Sequence, residues 1–243
     1  MSNILLVSDI HGNLAALDAV LQDAEQRCVI DHVWSLGDTV GYGPQPSECL
    51  LKLKSLGALA VAGNHELAAL GVLSTENFNT AAKAAAEWTA SVLTPDAREY
   101  ASGLPHRLVA GDFTVVHGSP RDPTWEYLFD EETAQQNLPY METAHCVHGH
   151  THVPRSLLVG SENLTGLPRF DDVVVLVAGS WFVNPGSVGQ PRDGDPRASY
   201  AILDDESMIV RFHRVEYPVE VTQGLMQKAA LPAVLWQRLE HGF

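Results

Sequence analysis

The amino-acid sequence predicts an α/β fold of mixed α+β character: a four-layer αββα sandwich of two stacked mixed β-sheets flanked by helices. Apolar runs alternate with amphipathic segments in the first third of the chain, and strand-like runs dominate from Arg107 onward. Alternation of strand and helix indicates an α/β core. No Pro/Gly/Ser-rich linker or abrupt composition shift divides the 243 residues, so we expect one domain spanning residues 1–243.

The elements of the first half follow from the spacing of apolar residues. The run at 4–7 predicts a buried strand, and residues 13–26 carry the periodicity of an amphipathic helix. A helix over 79–92 is alanine-rich, and the next helix is expected to start at Thr94, which can cap it before Pro95 in the first turn. Between these segments the sequence predicts strands at 32–36 and 58–62 and helices at 47–56 and 64–70.

The second half is predicted to be mostly sheet. Runs with turn signals between them are typical of strands at 107–110, 113–117, 144–148, 155–159, 173–178, 198–203 and 208–215. The tail over 219–239 is predicted to be helical, with an interruption near Pro232. Two sheets stacked face to face, with the helices outside, accommodate both halves around one core.

Composition narrows the range of partners and compartments. Thirty Asp and Glu against fifteen Lys and Arg give a formal charge of −15, which disfavours long nucleic acid but not a small anionic substrate in a cation-lined pocket. No apolar run approaches the roughly 20 residues that span a bilayer, so no membrane association is expected. Three widely spaced cysteines and no secretion signal favour the cytoplasm. Nothing in the sequence indicates an oligomeric state.

Metal-type side chains recur where predicted strands of the first half end. Asp9 and His11 follow the first strand, Asp38 the second, and Asn64 and His65 the third. This end of a strand is where α/β sheets place their ligands. Each motif alone is weak evidence for a metal site, because an Asp-x-His tripeptide is more often a helix-capping Asp beside a surface His. Three consecutive strand ends with such side chains are harder to attribute to chance.

Histidines of the second half extend the candidate set. His117 ends an apolar strand directly before a glycine, and His150 and His152 are separated by one threonine. Two histidines at i and i+2 can reach adjacent positions from one strand or turn, which suits neighbouring metal ions. A single strand-end His is more often a satisfied core residue, and we assign His148 such a packing or ligand-supporting role.

In this order the motifs Asp-x-His, Gly-Asp, Gly-Asn-His-Glu, His-Gly and Gly-His-Thr-His resemble those of the calcineurin-like metallophosphoesterase superfamily. They cover positions 9–152, and residues 184–189 look like a loop of its bacterial and archaeal phosphodiesterase branch. The resemblance implies a four-layer αββα sandwich. It also implies a first metal ion bound by Asp9, His11 and His152, a second bound by Asn64, His117 and His150, a bridging Asp38, and His65 as catalytic acid near the leaving-group oxygen.

The implied chemistry needs no serine or cysteine nucleophile. Two cations about 3.5–4 Å apart can hold a hydroxide, because metal coordination lowers the pKa of water from about 16 toward 7. That hydroxide would attack phosphorus in line while the cations neutralise the growing charge, and His65 would protonate the departing oxygen. Nitrogen and oxygen ligands without thiolate suit two divalent ions, with manganese expected first and iron, zinc, cobalt or nickel as alternatives.

Residues around the predicted site bear on the substrate. In the serine/threonine protein phosphatase branch, Asp-Arg-Gly follows the Gly-Asp motif and an arginine precedes the Gly-Asn-His-Glu motif. In this chain residues 39–43 contain no arginine, and Ala62 stands before Gly63. Bidentate arginine commonly grips a phosphomonoester dianion, so its absence favours a phosphodiester or a dinucleoside polyphosphate. Tyr42, Tyr127 and Arg192 are candidate substrate contacts; their alternative roles are packing for the tyrosines and a solvated turn for the arginine.

Two other function classes are compatible with this fold. A retromer subunit with this fold serves protein interaction, but its kind lacks the catalytic histidine that this chain keeps as His65. A nucleic-acid-processing nuclease of the same superfamily is disfavoured by the acidic charge and the lack of a basic groove. We therefore expect a hydrolase acting on a phosphodiester or similar small phosphate ester. A dinucleoside polyphosphate hydrolase and a protein phosphatase-like phosphomonoesterase are the alternatives.

Overall fold

The computed structural model describes residues 2–159, 172–176 and 179–243. The strands of the described residues are β1 (Asn3–Val7), β2 (His32–Ser35), β3 (Leu59–Ala60), β4 (Arg107–Ala110), β5 (Phe113–Val116), β6 (His145–Val147), β7 (Arg155–Val159), β8 (Val173–Val175), β9 (Ser180–Asn184), β10 (Ala198–Asp204) and β11 (Ile209–Val215). The helices are α1 (Leu14–Arg27), α2 (Pro46–Ser55), α3 (Asn64–Ala69), α4 (Thr80–Val92), α5 (Pro95–Ser102), α6 (Glu131–Asn137), α7 (Val219–Lys228) and α8 (Ala233–Gln237). No described helix has both the length and the apolar character of a membrane span.

The strands form two mixed sheets. One has the order β3-β2-β1-β10-β11-β8, with β1 parallel to β2 and antiparallel to β10. The other has the order β4-β5-β6-β9-β7, in which β5, β6 and β9 run parallel and the two outer strands run antiparallel to their neighbours. The predicted fold class, two mixed sheets flanked by helices, is confirmed.

Alternation along β1 shows how the layers are built. Ile4 and Leu6 point into a core shared with residues of the second sheet, such as Phe113 and Val147. Leu5 and Val7 point the other way, into a cluster that includes buried residues of α1. Successive side chains of a strand face opposite sides of the sheet, so one apolar strand serves two layers. On the outer face of the second sheet, residues of α6 pack in a separate cluster and complete the fourth layer.

The sequence pattern predicted most elements and missed two. Strand β9 was not predicted, because it is buried along almost its whole length and lacks the alternation of a half-exposed strand. Helix α6 was not predicted either, since it is almost entirely polar and buries only Ala134 and Asn137. The predicted strand over 173–178 is shorter, ending at Val175, and residues 177–178 lie outside the described residues. The predicted tail helix is interrupted, and its second part begins after Pro232.

Candidate metal centre

Backbone strain is concentrated in the loops that follow the strands. A left-handed backbone is unfavourable for residues other than glycine, and such strain tends to cluster at functional sites. Among the described residues eight non-glycine positions have positive φ, and six of them belong to the predicted site or its rim. These six are Asp9, His11, Asp38, Tyr42, His150 and His152. The histidines at 150 and 152 therefore sit in a turn rather than a strand.

One group of possible metal ligands lies where the loops after β1 and β2 meet the turn at 150–152. Asp9, His11, Asp38 and His152 are buried and each offers a ligand atom within 4.8 Å of the others. The Nε2 atoms of His11 and His152 are 3.1 Å apart, and Nε2 of His152 lies 3.3 Å from Oδ1 of Asp9. Nε2 of His11 lies 3.8 Å from Oδ2 of Asp38.

A second group adjoins the first and shares Asp38 with it. Asp38, His117 and His150 are buried and again offer ligand atoms within 4.8 Å of one another. Nε2 of His117 lies 3.3 Å from Oδ2 of Asp38, 3.1 Å from Oδ1 of Asn64 and 3.0 Å from Nδ1 of His150. The structure thus brings all seven candidate ligands together, in two groups joined by one carboxylate.

Backbone carbonyls set the orientation of three imidazoles. Nδ1 of His11 lies 2.9 Å from the Val40 carbonyl oxygen, and Nδ1 of His152 lies 2.6 Å from that of Gln190. Nδ1 of His117 makes the same contact with Leu36, at 2.9 Å. A carbonyl only accepts hydrogen bonds, so each Nδ1 carries the proton and the Nε2 lone pair faces the cluster. Metal-binding histidines are typically held this way.

The donor set fits a cation, because lone pairs converge without protons between them. With Nδ1 protonated, the Nε2 atoms of His11 and His152 present two acceptors to each other at 3.1 Å. Oδ1 of Asp9 is buried without a hydrogen-bond partner among the described residues, and Nδ1 of His150 faces Nε2 of His117 at 3.0 Å. Buried acceptors that face one another are unfavourable unless a proton or metal ion lies between them. The cluster is therefore a candidate metal-binding site.

Burial and the charges of neighbouring carboxylates shift the pKa values of the clustered histidines in opposite directions. Burial lowers the pKa values of His11, His150 and His152 well below their usual range, which favours the neutral imidazole that binds metals. Burial also lowers the pKa of His117, but the charge of Asp38, its hydrogen bond to the ring, the charge of Asp9 and the Leu36 carbonyl together outweigh burial and raise that pKa to about 9. The negative charge of Asp38 that favours a proton on Nε2 of His117 would equally favour a metal cation between these two side chains.

Glu66 fastens the loops that carry these ligands. Its carboxylate, fully buried, accepts backbone N–H bonds from Gly63 at 2.7 Å, Asp38 at 2.9 Å and Val40 at 3.0 Å. Burial and the charge of Asp38 raise the pKa of Glu66 to about 7, whereas the three amide donors favour the ionised form. The contacts of Glu66 span two loops and therefore depend on the tertiary fold.

Asn184 and Ser187 tie the opposite side of the cluster together. Nδ2 of Asn184 donates to the Gly149 carbonyl oxygen at 2.7 Å and to Oγ1 of Thr151 at 3.0 Å, which fixes the turn that carries the two histidines. Oγ of Ser187 donates to the Asp9 carbonyl oxygen at 2.7 Å. His148 is buried and its Nδ1 lies 3.4 Å from Nδ2 of Asn184, beside the ligand groups rather than among them.

His65 lies next to the cluster on the wall of a pocket. Its backbone N–H donates to Oδ1 of Asp38 at 2.9 Å, and its ring lies 4.9 Å from that of His11. Nδ1 of His65 is buried without a partner among the described residues. Burial lowers the pKa of this imidazole to about 4, although the charge of Asp38 opposes the shift. Gly41 leaves room for the ring, because a Cβ there would lie 2.2 Å from Nδ1.

The pocket above the cluster has a volume of about 110 Å³ and an aromatic wall. Tyr42, Tyr127 and Arg192, the three candidate substrate contacts, all line it. The Tyr127 ring stacks on His150 with 4.1 Å between ring centroids. Phe78 and Trp125 also line the pocket, and their rings pack edge to face with 5.4 Å between centroids. Neither residue belongs to a motif of the sequence. Their side chains reach the pocket from loops that carry no motif.

Buried Asp and His side chains beyond the strand ends of a two-sheet sandwich place this chain in the class of proteins with a candidate metal-binding site. Comparison with known families narrows this class. A family model described as the calcineurin-like phosphoesterase superfamily domain matches residues 2–208, and the chain belongs to this family. The family expected from the motif order is confirmed, and with it the enzyme class, a phosphoric ester hydrolase.

Similar proteins span bacteria and archaea. The crystal structure of a metallophosphoesterase from Sphaerobacter thermophilus is 46% identical in sequence, with a TM-score of 0.91 over 100% of this chain and 99% of that chain. An uncharacterized protein of Methanocaldococcus jannaschii is 36% identical over 98% of this chain and 97% of its own length. A symmetrical bis(5'-nucleosyl)-tetraphosphatase of Psychromonas ingrahamii matches locally, at 42% identity over 28% of this chain and 25% of its own.

Proposed function

We propose that residues 1–243 form a single-domain, dinuclear metal-dependent phosphoesterase that hydrolyses a phosphodiester or similar small phosphate ester. The observation that carries this proposal is the sharing of Asp38 by two adjoining groups of buried ligand atoms. In the proposal Asp9, His11 and His152 hold one divalent cation, Asn64, His117 and His150 hold the other, and Asp38 bridges them. Manganese fits such oxygen and nitrogen donors, and iron, zinc, cobalt or nickel are alternatives.

Each part of the site has a distinct task in this proposal. Bound divalent cations in such a site supply an activated water for in-line attack on phosphorus and neutralise charge on the phosphate oxygens. The chain's own contribution is to hold the ligands in place before substrate arrives, through the carbonyl contacts of the imidazoles and the amide contacts of Glu66. Preorganised groups of this kind require little rearrangement during the reaction.

His65 is proposed as the general acid. Its backbone contact with Asp38 and the pocket wall around it hold the ring beside the cluster. A neutral imidazole can only donate a hydrogen bond to the leaving-group oxygen; transfer of a proton to that oxygen requires the imidazolium form, which a bound phosphate anion favours. Retention of this histidine weighs against a purely non-catalytic scaffold.

A dinucleoside polyphosphate is the second candidate substrate, and the aromatic wall favours it. Phe78, Trp125 and Tyr127 line one pocket with the candidate ligands, and flat rings suit stacking against a nucleobase. Several local relatives are named symmetrical bis(5'-nucleosyl)-tetraphosphatases. We propose that the partner is a small phosphate ester and neither a long nucleic acid nor a membrane. Three free cysteines, two of them buried, favour the cytoplasm as compartment.

The enzyme proposal is tested by assaying the manganese-loaded protein on bis(p-nitrophenyl) phosphate, p-nitrophenyl phosphate and diadenosine tetraphosphate. Replacement of His65 by Ala is expected to lower kcat by about 10²–10⁴-fold while metal content stays unchanged. His106→Ala, at an exposed histidine away from the pocket, is the matched control. Undiminished turnover in His65→Ala, or no turnover by the wild type with any divalent metal, would contradict the proposal.

A further inference from the structure

We propose that Arg192 is the phosphate-binding residue of the pocket, with its guanidinium gripping phosphate oxygens of the substrate opposite the candidate metal ligands. The inference rests on the proposed phosphoesterase function and names the group that holds the phosphate. Among the described residues that line the pocket, Arg192 is the one Lys or Arg side chain. Asp38, Asn64, His150 and His152 line the same space.

The charge of Arg192 has no carboxylate partner among the described residues. The acidic residues that follow Arg192 in the same loop form ion pairs with other arginines. Asp193 pairs with Arg214, and Asp195 pairs with Arg197 at 2.6 Å. The positive charge of Arg192 is left available for an anion.

Neutral groups contact the guanidinium and leave its charge unneutralised. Nη2 of Arg192 donates to Oε1 of Gln190 at 3.1 Å, and Cζ lies 6.0 Å from the ring centroid of Tyr42. Nε of Arg192 is buried and has no acceptor among the described residues. A planar guanidinium with unused N–H groups matches the geometry of phosphate oxygens, so Arg192 supplies an arginine that residues 39–43 and position 62 lack.

The backbone of the same loop links this arginine to the candidate metal centre. The Arg192 N–H donates to the His152 carbonyl oxygen at 3.2 Å, and the Gln190 carbonyl oxygen accepts from Nδ1 of His152 at 2.6 Å. The backbone that carries Arg192 is therefore held against a candidate metal ligand by two contacts. Cations at the cluster would repel this arginine, and a phosphate between them removes the repulsion.

The test measures binding of inorganic phosphate to the manganese-loaded protein by isothermal titration calorimetry, with metal content and Tm determined on every sample. Arg192→Gln is expected to weaken phosphate binding by about 10- to 100-fold, the range for loss of a charged hydrogen bond. Arg192→Lys keeps the charge but loses the planar fork, so a several-fold loss is expected. Lys54→Gln, at an exposed lysine of α2, removes the same charge far from the pocket and serves as control.

The outcomes separate this inference from simpler explanations. Unchanged Tm and metal content with weakened phosphate binding support a contact with the anion, because a purely structural arginine would change stability instead. Wild-type phosphate affinity in Arg192→Gln, or equal weakening in Lys54→Gln, would overturn the inference. If Arg192→Gln does not fold, wild-type affinity in Arg192→Lys overturns it. Phosphate binding that depends on Arg192 would stand even if the wild type hydrolysed no ester, so failure of the enzyme proposal is distinguishable.

Discussion

Replacement of Glu66 by Gln tests whether one buried carboxylate holds the candidate metal centre together. Glu66 is fully buried and accepts three backbone N–H bonds, from the loop after β2 and from the start of α3. Glutamine has nearly the same shape but carries one acceptor oxygen and one amide donor. The substitution therefore changes hydrogen bonding and charge while it leaves packing volume almost unchanged.

The expected cost follows from the number of contacts that glutamine cannot make. Oε2 of Glu66 accepts from Gly63 and Asp38, and Oε1 accepts from Val40. Whichever way the glutamine amide is oriented, at least one backbone N–H loses its acceptor and faces an NH₂ group. Above about pH 7, where the Glu66 carboxylate is ionised, a hydrogen bond to this charged group contributes about 1.5–3 kcal/mol. We expect Glu66→Gln to lower the free energy of unfolding by about 2–3 kcal/mol, and Tm by roughly 4–12 °C for a chain of this length.

Urea denaturation followed by circular dichroism measures this difference, with Glu99→Gln as the matched control. Glu99 is exposed on α5, so its substitution is expected to change stability by less than about 0.5 kcal/mol. A Glu66→Gln variant as stable as Glu99→Gln would refute the reasoning, because it would mean that the three amide contacts do not depend on the carboxylate.

Three further substitutions probe other parts of the site. Gly41→Ala places a Cβ 2.2 Å from Nδ1 of His65 at a backbone φ of +85°, so kcat should fall at least about tenfold; wild-type kcat would contradict that packing. Asn184→Ala releases the turn at 149–151 and should weaken manganese binding by about 10–100-fold in a metal titration, and unaltered affinity would rule out its supporting role. Trp125→Leu should raise KM for diadenosine tetraphosphate about tenfold but not for glycerophosphocholine, and equal effects on both would exclude base stacking.

Local sequence signals predicted the parts of the site that strands deliver directly. Asp9, Asp38 and His117 each follow an apolar strand whose pattern is visible in a few residues, and the direction of the strand places them at one edge. The order of these motifs was specific enough to predict the family. Fold class and family therefore followed from short segments.

Contacts between distant segments could not be predicted in the same way. Asn184 supports a turn about 35 residues earlier in the chain, and Glu66 reaches back to the loop after β2. Phe78 and Trp125 meet only in the folded chain, and neither lies in a recognisable motif. Strand β9 is central in its sheet and buried on both faces, so it lacks the alternation that marks a half-exposed strand.

The number and position of bound metal ions test the central claim most directly. A crystal structure of the manganese-loaded protein, with anomalous scattering to locate the metal and elemental analysis to count it, is expected to show two ions. One should lie among Asp9, His11 and His152, the other among Asn64, His117 and His150, with an Asp38 oxygen between them. A single ion, or metal bound away from these residues, would contradict the proposed dinuclear site.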